Sequence, residues 1–122
     1  MKKVSGMLDG VLIELEVAQT LNQYKEGVRL SGGTLHFNAG MLFDFGAPMQ
    51  ILLENSGVDQ DLQVLYFSKF KKYGVVEETS TLKAQDPKAV ASKGFYPIAI
   101  ELRKDFCEQH RIGKGSTLIL KV

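Results

Sequence analysis

Tryptophan is absent from this chain, and cysteine, histidine and proline are scarce, with one, two and three copies. The lone cysteine, Cys107, excludes an intrachain disulfide and any zinc site built from thiolates, which fits a reducing compartment. The two histidines, His36 and His110, are far apart and lack the helical spacing of a zinc-binding pair, so no metal site and no cofactor is expected. Neither sign of charge is in excess. Fifteen basic and fourteen acidic side chains leave a net charge of +1, too little to gather nucleic acid or an anionic membrane by field alone. Long apolar runs are also missing. Met1-Lys2-Lys3-Val4 could begin a secretion signal, but Gly6, Asp9, Gly10, Glu14 and Glu16 interrupt any run of that length. A cytoplasmic, membrane-free protein is the expectation. The glycines Gly32-Gly33 and Gly113-x-Gly115 neither follow a strand nor open a helix, so they fail as phosphate-binding loops.

What is present suits an ordinary globular domain. Hydrophobic residues make up 44% and charged residues 24% of 122, and a chain of this length buries about two-thirds of its unfolded surface without staples. Residues 1–10 read as a lead-in. Val11–Val17 alternates, with Val11, Ile13, Leu15 and Val17 on one face, as a half-buried strand does. Thr20 is placed to cap a short helix over Leu21–Val28, with Leu21, Tyr24 and Val28 toward the core. Strands follow at Met41–Phe45, Met49–Leu53, Leu62–Phe67, Gly74–Leu82, Tyr96–Leu102 and Thr117–Val122, with a helical turn at Phe106–Arg111. Pro97 belongs at a strand end or edge, and Lys83–Gly94 reads as polar chain without packed structure. About seven short strands and two short helices without βαβ alternation predict one mainly-β domain spanning residues 1–122, an antiparallel sandwich or small barrel.

The polar stretch Glu54–Asp61 interrupts two apolar strands and offers the best-placed functional groups: Asn55, Ser56 and Asp61, with Glu54 as a candidate acid or base. The plainer reading is that Asn and Asp side chains pin an irregular loop by bonding its backbone amides. Glu14, Glu16, Glu54 and Asp61 could supply a carboxylate pair of the glycosidase kind, although alternating Glu residues on a strand usually form a solvated face. Ser56 and Cys107 lack an evident base for nucleophilic chemistry, and Cys107 reads as a core filler. Lys69-Phe70-Lys71-Lys72-Tyr73 mixes cations with aromatics as single-strand binders do, yet lysines at a strand junction also discourage edge pairing.

Several stretches together resemble the bacterial and phage family known as domain of unknown function 192. Val17-Ala18-Gln19-Thr20 stands where the family has a Val-Ala-Asp-Thr-like segment, and Gly27-Val28-Arg29 where it has Gly-Leu-Met. Gly40-Met41-Leu42-Phe43-Asp44-Phe45 keeps the pattern Gly-Met-Leu-Phe-x-Phe. Leu52-Leu53-Glu54-Asn55-Ser56 and, after Gly57-Val58, Asp59-Gln60-Asp61 occupy the central motif Trp-Met-Lys-Asn-Thr, two variable residues, Pro-Leu-Asp. Pro97–Leu102, Lys104–Arg111 and Ile112-Gly113-Lys114-Gly115-Ser116 match its closing strand, helix and turn. Leu52 replaces the family's Trp, Glu54 reverses a Lys, Gln19 replaces an Asp and Asp59 a Pro. The resemblance implies a compact mainly-β fold, carries no assigned activity, and adds Gln19 and Arg29 to the candidate binding set of Glu54, Asn55, Ser56 and Asp61. The function expected is a non-catalytic small-ligand-binding or interaction domain with a polar patch at residues 54–61. The alternative is a hydrolase or lyase acting on a small polar substrate, and single-stranded nucleic-acid binding is disfavoured. Neither a partner nor an oligomeric state is indicated.

Overall fold

The computed structural model describes residues 1–121, so Val122, the end of the last expected strand, lies outside the described residues. Ten strands form: β1 (Lys2–Leu8), β2 (Val11–Ala18), β3 (Ala39–Met49), β4 (Leu52–Leu53), β5 (Leu62–Phe67), β6 (Tyr73–Val75), β7 (Glu78–Leu82), β8 (Val90–Ala91), β9 (Tyr96–Arg103) and β10 (Thr117–Lys121). Eight of them make one sheet in the order β6-β10-β1-β2-β3-β9-β5-β7, and β4 pairs with β8 as a separate two-stranded ribbon. The helices are α1 (Leu21–Glu26), continued by a 3₁₀ turn (Gly27–Ser31), and α2 (Lys104–His110). The mainly-β expectation holds.

Several details depart from the sequence reading, and one is the expected strand Met49–Leu53, which is divided between the end of β3 at Met49 and the two-residue β4. The supposed lead-in is a full strand, β1, paired along its length with β2 and, from Ser5 to Leu8, with β10. Lys83–Gly94 contributes β8, which gives the short β4 its partner. β2 and β3 run parallel, whereas the other ladders are antiparallel. Leu21 is exposed rather than core-facing, because the burial in this segment comes later, at Gly27 and Val28. Thr20 does cap α1: its hydroxyl accepts from the Gln23 amide while the Gln23 side chain accepts from the Thr20 amide, a reciprocal arrangement that satisfies two otherwise orphan donors.

The expected strand Gly74–Leu82 is one extended segment with two partners. β6 pairs with β10 and β7 pairs with β5, so the two edge strands of the sheet are joined by Val76-Glu77 alone. Val76 still bonds Ser116 and Gly115 on the β10 side, and the Glu77 amide already donates to the Tyr66 carbonyl of β5. The sheet therefore curls around an inner core that draws Leu8, Ile13, Leu15, Leu102, Phe67 and Leu118 from strands all along its order, with Phe106 and Cys107 of α2. A second core lies on the opposite face of β3, β9 and β5. Met41, Phe43, Val64 and Tyr66 meet Val28, Ile51 and Val58 from α1's continuation and the ribbon region there. Those three strands are apolar on both faces for that reason.

β3 and β9 approach closely at Gly40, which pairs with Leu102. A Cβ there would collide with the Glu101 carbonyl and the Leu102 side chain. Gly40→Ala should destabilise the protein by roughly 1–3 kcal/mol, the usual penalty of overpacking a filled core. A denaturation midpoint equal to that of the parent would show that the strands separate freely instead.

Candidate functional site

Glu101 is the least expected group in the structure. It sits mid-strand in β9, opposite Met41 of β3 and Val64 of β5, with only 3% of its surface exposed. A Cβ placed on Gly27, at the start of the 3₁₀ turn, would lie 3.7 Å from Glu101 Oε1 and 3.5 Å from Phe43 Cζ, so the turn passes directly over the carboxyl. Burial pushes Glu101 up to about 8; Arg29 opposes that rise and Glu54 adds to it. Among the described residues no hydrogen bond contributes to its titration. At neutral pH the group is mostly a neutral acid, the state burial favours when no partner is provided.

Beside it, α1 and the 3₁₀ turn on one side and β4 with its following loop on the other enclose a cleft of about 350 Å³, lined by Phe43, Val58, Arg29, Glu54, Asn55 and Glu101 among others. Arg29 Nη1 donates to Glu54 Oε1 at 2.7 Å and to the Ser56 carbonyl at 2.8 Å. Its Nη2 donates to the Lys25 carbonyl, and its Nε is 3.7 Å from Glu26. The Ser56 amide and hydroxyl both donate to Glu54 Oε2. Partial burial pushes the Glu54 carboxyl up, but the Ser56 and Arg29 hydrogen bonds outweigh it and hold the group below its ordinary value. Two carboxyls bordering one cleft are thus driven in opposite directions.

Asn55 is 1% exposed. Its amide nitrogen donates to the carbonyls of Gln60 at 2.9 Å and Lys83 at 3.1 Å, which fixes the orientation of the side chain and holds the loop against the end of β7. Its Oδ1 is buried without a partner. Across the loop, Gly33 and Gly57 meet backbone to backbone, where a Cβ on Gly33 would strike the Gly57 carbonyl. This contact, with Asp59 N donating to Gly33 O at 3.1 Å, presses the loop onto the end of the 3₁₀ turn.

Of the six residues singled out from sequence, Arg29, Glu54, Asn55 and Ser56 come together. Asp61 does not join them. It is exposed, accepts from the Ala84 amide at 2.8 Å, and borders a separate depression with Arg103 and Lys104. Gln19 lies in another hollow beside Asp44 and Lys71. Glu14 accepts from the Ser5 hydroxyl on an exposed strand face and borders a different hollow from Glu54. Cys107 is buried in the inner core, its thiol pushed up to about 12 by burial and by Asp105 and Glu108, and so unsuited to nucleophilic attack. His110 packs against Phe106 and Phe37. Among the described residues no cluster of three or more metal-ligating side chains forms, and no helix is long and apolar enough to cross a membrane. Glu101 is not among the sequence candidates, because Tyr96–Leu102 reads there only as a strand with Pro97 at its end or edge. The available signal was a single charge in a strand otherwise apolar on both faces, since carboxylates are almost never fully buried without a reason.

Fold and site together define a curled β-sheet domain with a helical cap over a buried carboxyl. Residues 4–120 match the family described as "Uncharacterized ACR", and the chain belongs to that family, domain of unknown function 192. Its structure is similar to that of a Sinorhizobium meliloti protein provisionally described as a transcription regulator, with a TM-score of 0.82 and 18% identity over 98% of this chain and 94% of that one. It is also similar to a protein of unknown function from Novosphingobium aromaticivorans, with a TM-score of 0.78 and 14% identity over 94% of this chain and 84% of the other. At those identities the likeness is one of fold. Among curated proteins, none matches the chain significantly.

The raised Glu101 carboxyl ties stability to pH. The folded state holds a proton up to about pH 8, whereas the unfolded chain releases it near the ordinary carboxyl value of about 4.3. Its contribution is therefore complete below that lower value and is lost as pH rises through the folded pKa, on the order of several kcal/mol in all. Glu101→Gln mimics the protonated acid and should remove this dependence, leaving the variant more stable than the parent above about pH 8. Denaturation curves for the two proteins that stay parallel from acid to alkaline pH would refute the assignment.

Proposed function

We propose that this chain is a non-catalytic small-ligand-binding domain and that the ligand enters the cleft between the α1–3₁₀ cap and the β4 loop. The observation that carries this reading is a pair of nearly buried polar side chains on that cleft: Asn55, whose Oδ1 has no partner, and Glu101, 3% exposed in the middle of a strand. Buried polar groups are ordinarily satisfied, and a polar cleft large enough for a small molecule is where such groups would find their partner. The Arg29–Glu54 pair, reinforced by Ser56, gives the wall a fixed geometry.

A hydrolase or lyase is the second reading, favoured by the opposed shifts of Glu54 and Glu101, the pattern that separates an ionised carboxylate from a proton donor. It ranks second because Glu54 is held by three donors, two from Ser56 and one from Arg29, which leaves it a weak base. Single-strand binding at Lys69–Tyr73 has less support still. Phe70 is folded back onto Phe67, so Tyr73 is the one ring left exposed among the described aromatic residues of that turn.

The amide spectrum of the protein, titrated with a panel of small polar compounds, should shift at Gly27–Arg29, Leu53–Ser56 and Glu101 and leave β10 unmoved. A panel that moves none of the cleft amides would remove the binding reading. Turnover of glycoside or ester substrates that disappears in Glu101→Gln would replace it with the enzymatic one.

A further inference from the structure

The hydrogen-bonding state of the cleft is one-sided. Apart from the Lys25 ammonium at its exposed rim, its side-chain donors are largely engaged: the Arg29 guanidinium is shared among Glu54, Ser56, Lys25 and Glu26, the Ser56 hydroxyl and amide go to Glu54, and the Tyr24 hydroxyl goes to the Asp44 carbonyl. The Asn55 amide nitrogen is held by backbone carbonyls. Asn55, which lines the cleft, keeps Oδ1 buried and without a partner, and the Glu101 carboxyl, which carries one O–H donor while neutral, becomes acceptor-only once ionised. A partner for Asn55 Oδ1 and for an ionised Glu101 has to bring hydrogen-bond donors. Charge points the same way, because Arg29 and Glu54 offset each other at the cleft wall, and an ionised Glu101 would leave a net negative floor.

We propose that the cleft takes a small primary ammonium cation, whose N–H groups engage the Glu101 carboxylate and Asn55 Oδ1 while its carbon chain lies against Phe43 and Val58. The proposal rests on the small-ligand reading and narrows it to one ligand class. An ammonium group supplies several donors in a compact head, and the ring of Phe43 beside Glu101 suits a cation and its methylene stem. A carboxylate ligand would bring further acceptors and negative charge to a site whose one unpartnered buried side-chain atom, among the described residues, is itself an acceptor.

Occupation by a cation requires Glu101 to ionise, so its proton leaves to solvent as the amine, already charged, enters. The titratable and charged groups around Glu101 are Tyr24, Lys25 and Glu26 on α1, Arg29 on the 3₁₀ turn, Glu54 after β4, and Tyr66 on β5. Lys25 is exposed at the rim and does not register in the titration of Glu101. Tyr24 and Tyr66 are both raised, in each case chiefly by burial, and stay neutral over the relevant range. Glu101 is therefore the group whose proton answers to the ligand.

The test is calorimetry and amide-shift titration of the intact chain with butylamine and putrescine, their neutral counterparts butanol and butanediol, and succinate. The amines should bind about tenfold more tightly per pH unit from about pH 6 until the carboxyl is ionised, and level off by about pH 9. The binding heat should vary with the buffer's ionisation heat by about one proton released near neutral pH. Glu101→Gln, which keeps the shape of the protonated acid, should weaken amine binding at least tenfold and abolish its pH dependence. Amine binding unchanged in that variant would place the site elsewhere and overturn the proposal. Cleft shifts produced by the alcohols or by succinate, with the amines no better, would overturn it while leaving the small-ligand reading in place. If no compound moves the cleft amides, both fall.

Discussion

Two neighbouring strands that run in the same direction cannot be joined by a hairpin; the chain has to travel back across a face of the sheet. The parallel pairing of β2 with β3 imposes that journey on residues 19–38, and the helical cap follows from it. Thr20 starts α1 with a reciprocal cap, Gly27 turns the chain with a positive φ of 52°, and Val28 and Leu35 anchor the crossing in the second core. Arg29 thereby arrives over the β4 loop, and Gly27 over Glu101. The cleft is a by-product of topology before it is anything chemical.

Much of this was legible from the residues, and the misses have physical causes. β2, β3, β5 and β9 announce themselves because they are rich in branched and aromatic side chains, and Thr20 because a cap has a local signature. β1 was hidden by Lys2, Lys3 and Gly6, which spoil its alternation. Gly6 is there because Leu118, Leu120 and the Ile119 carbonyl leave hardly any room for a Cβ, a requirement set by β10 more than a hundred residues away. β8 was hidden because two residues between polar loops carry no period, and its reason for pairing is Leu52–Leu53. The parallel register of β2 and β3 leaves no local trace.

At the site, the resemblance brought in Arg29 and the loop chemistry brought in Glu54, Asn55 and Ser56; the fold unites all four. Glu54 stands where the family has a cation, and here it meets one, the Arg29 guanidinium at 2.7 Å. The charge reversal is thus accommodated locally rather than left uncompensated. Asp61, six residues from Asn55, diverges because the intervening chain turns at Gly57 and folds back, so that one side chain binds the end of β7 and the other the Ala84 amide. Short sequence separation in a loop says little about which way its side chains face.

The two-residue junction Val76-Glu77 bears on how the molecule comes apart. A flat sheet frays from its margins, one strand at a time, and each loss leaves the remainder intact. Here the two margins are consecutive stretches of one extended segment, bonded to β10 on one side and to β5 on the other. Detaching either stretch pulls on the other through Val76, itself buried in the inner core. The two margins are thereby expected to open together, exposing the inner core in one cooperative step rather than strand by strand.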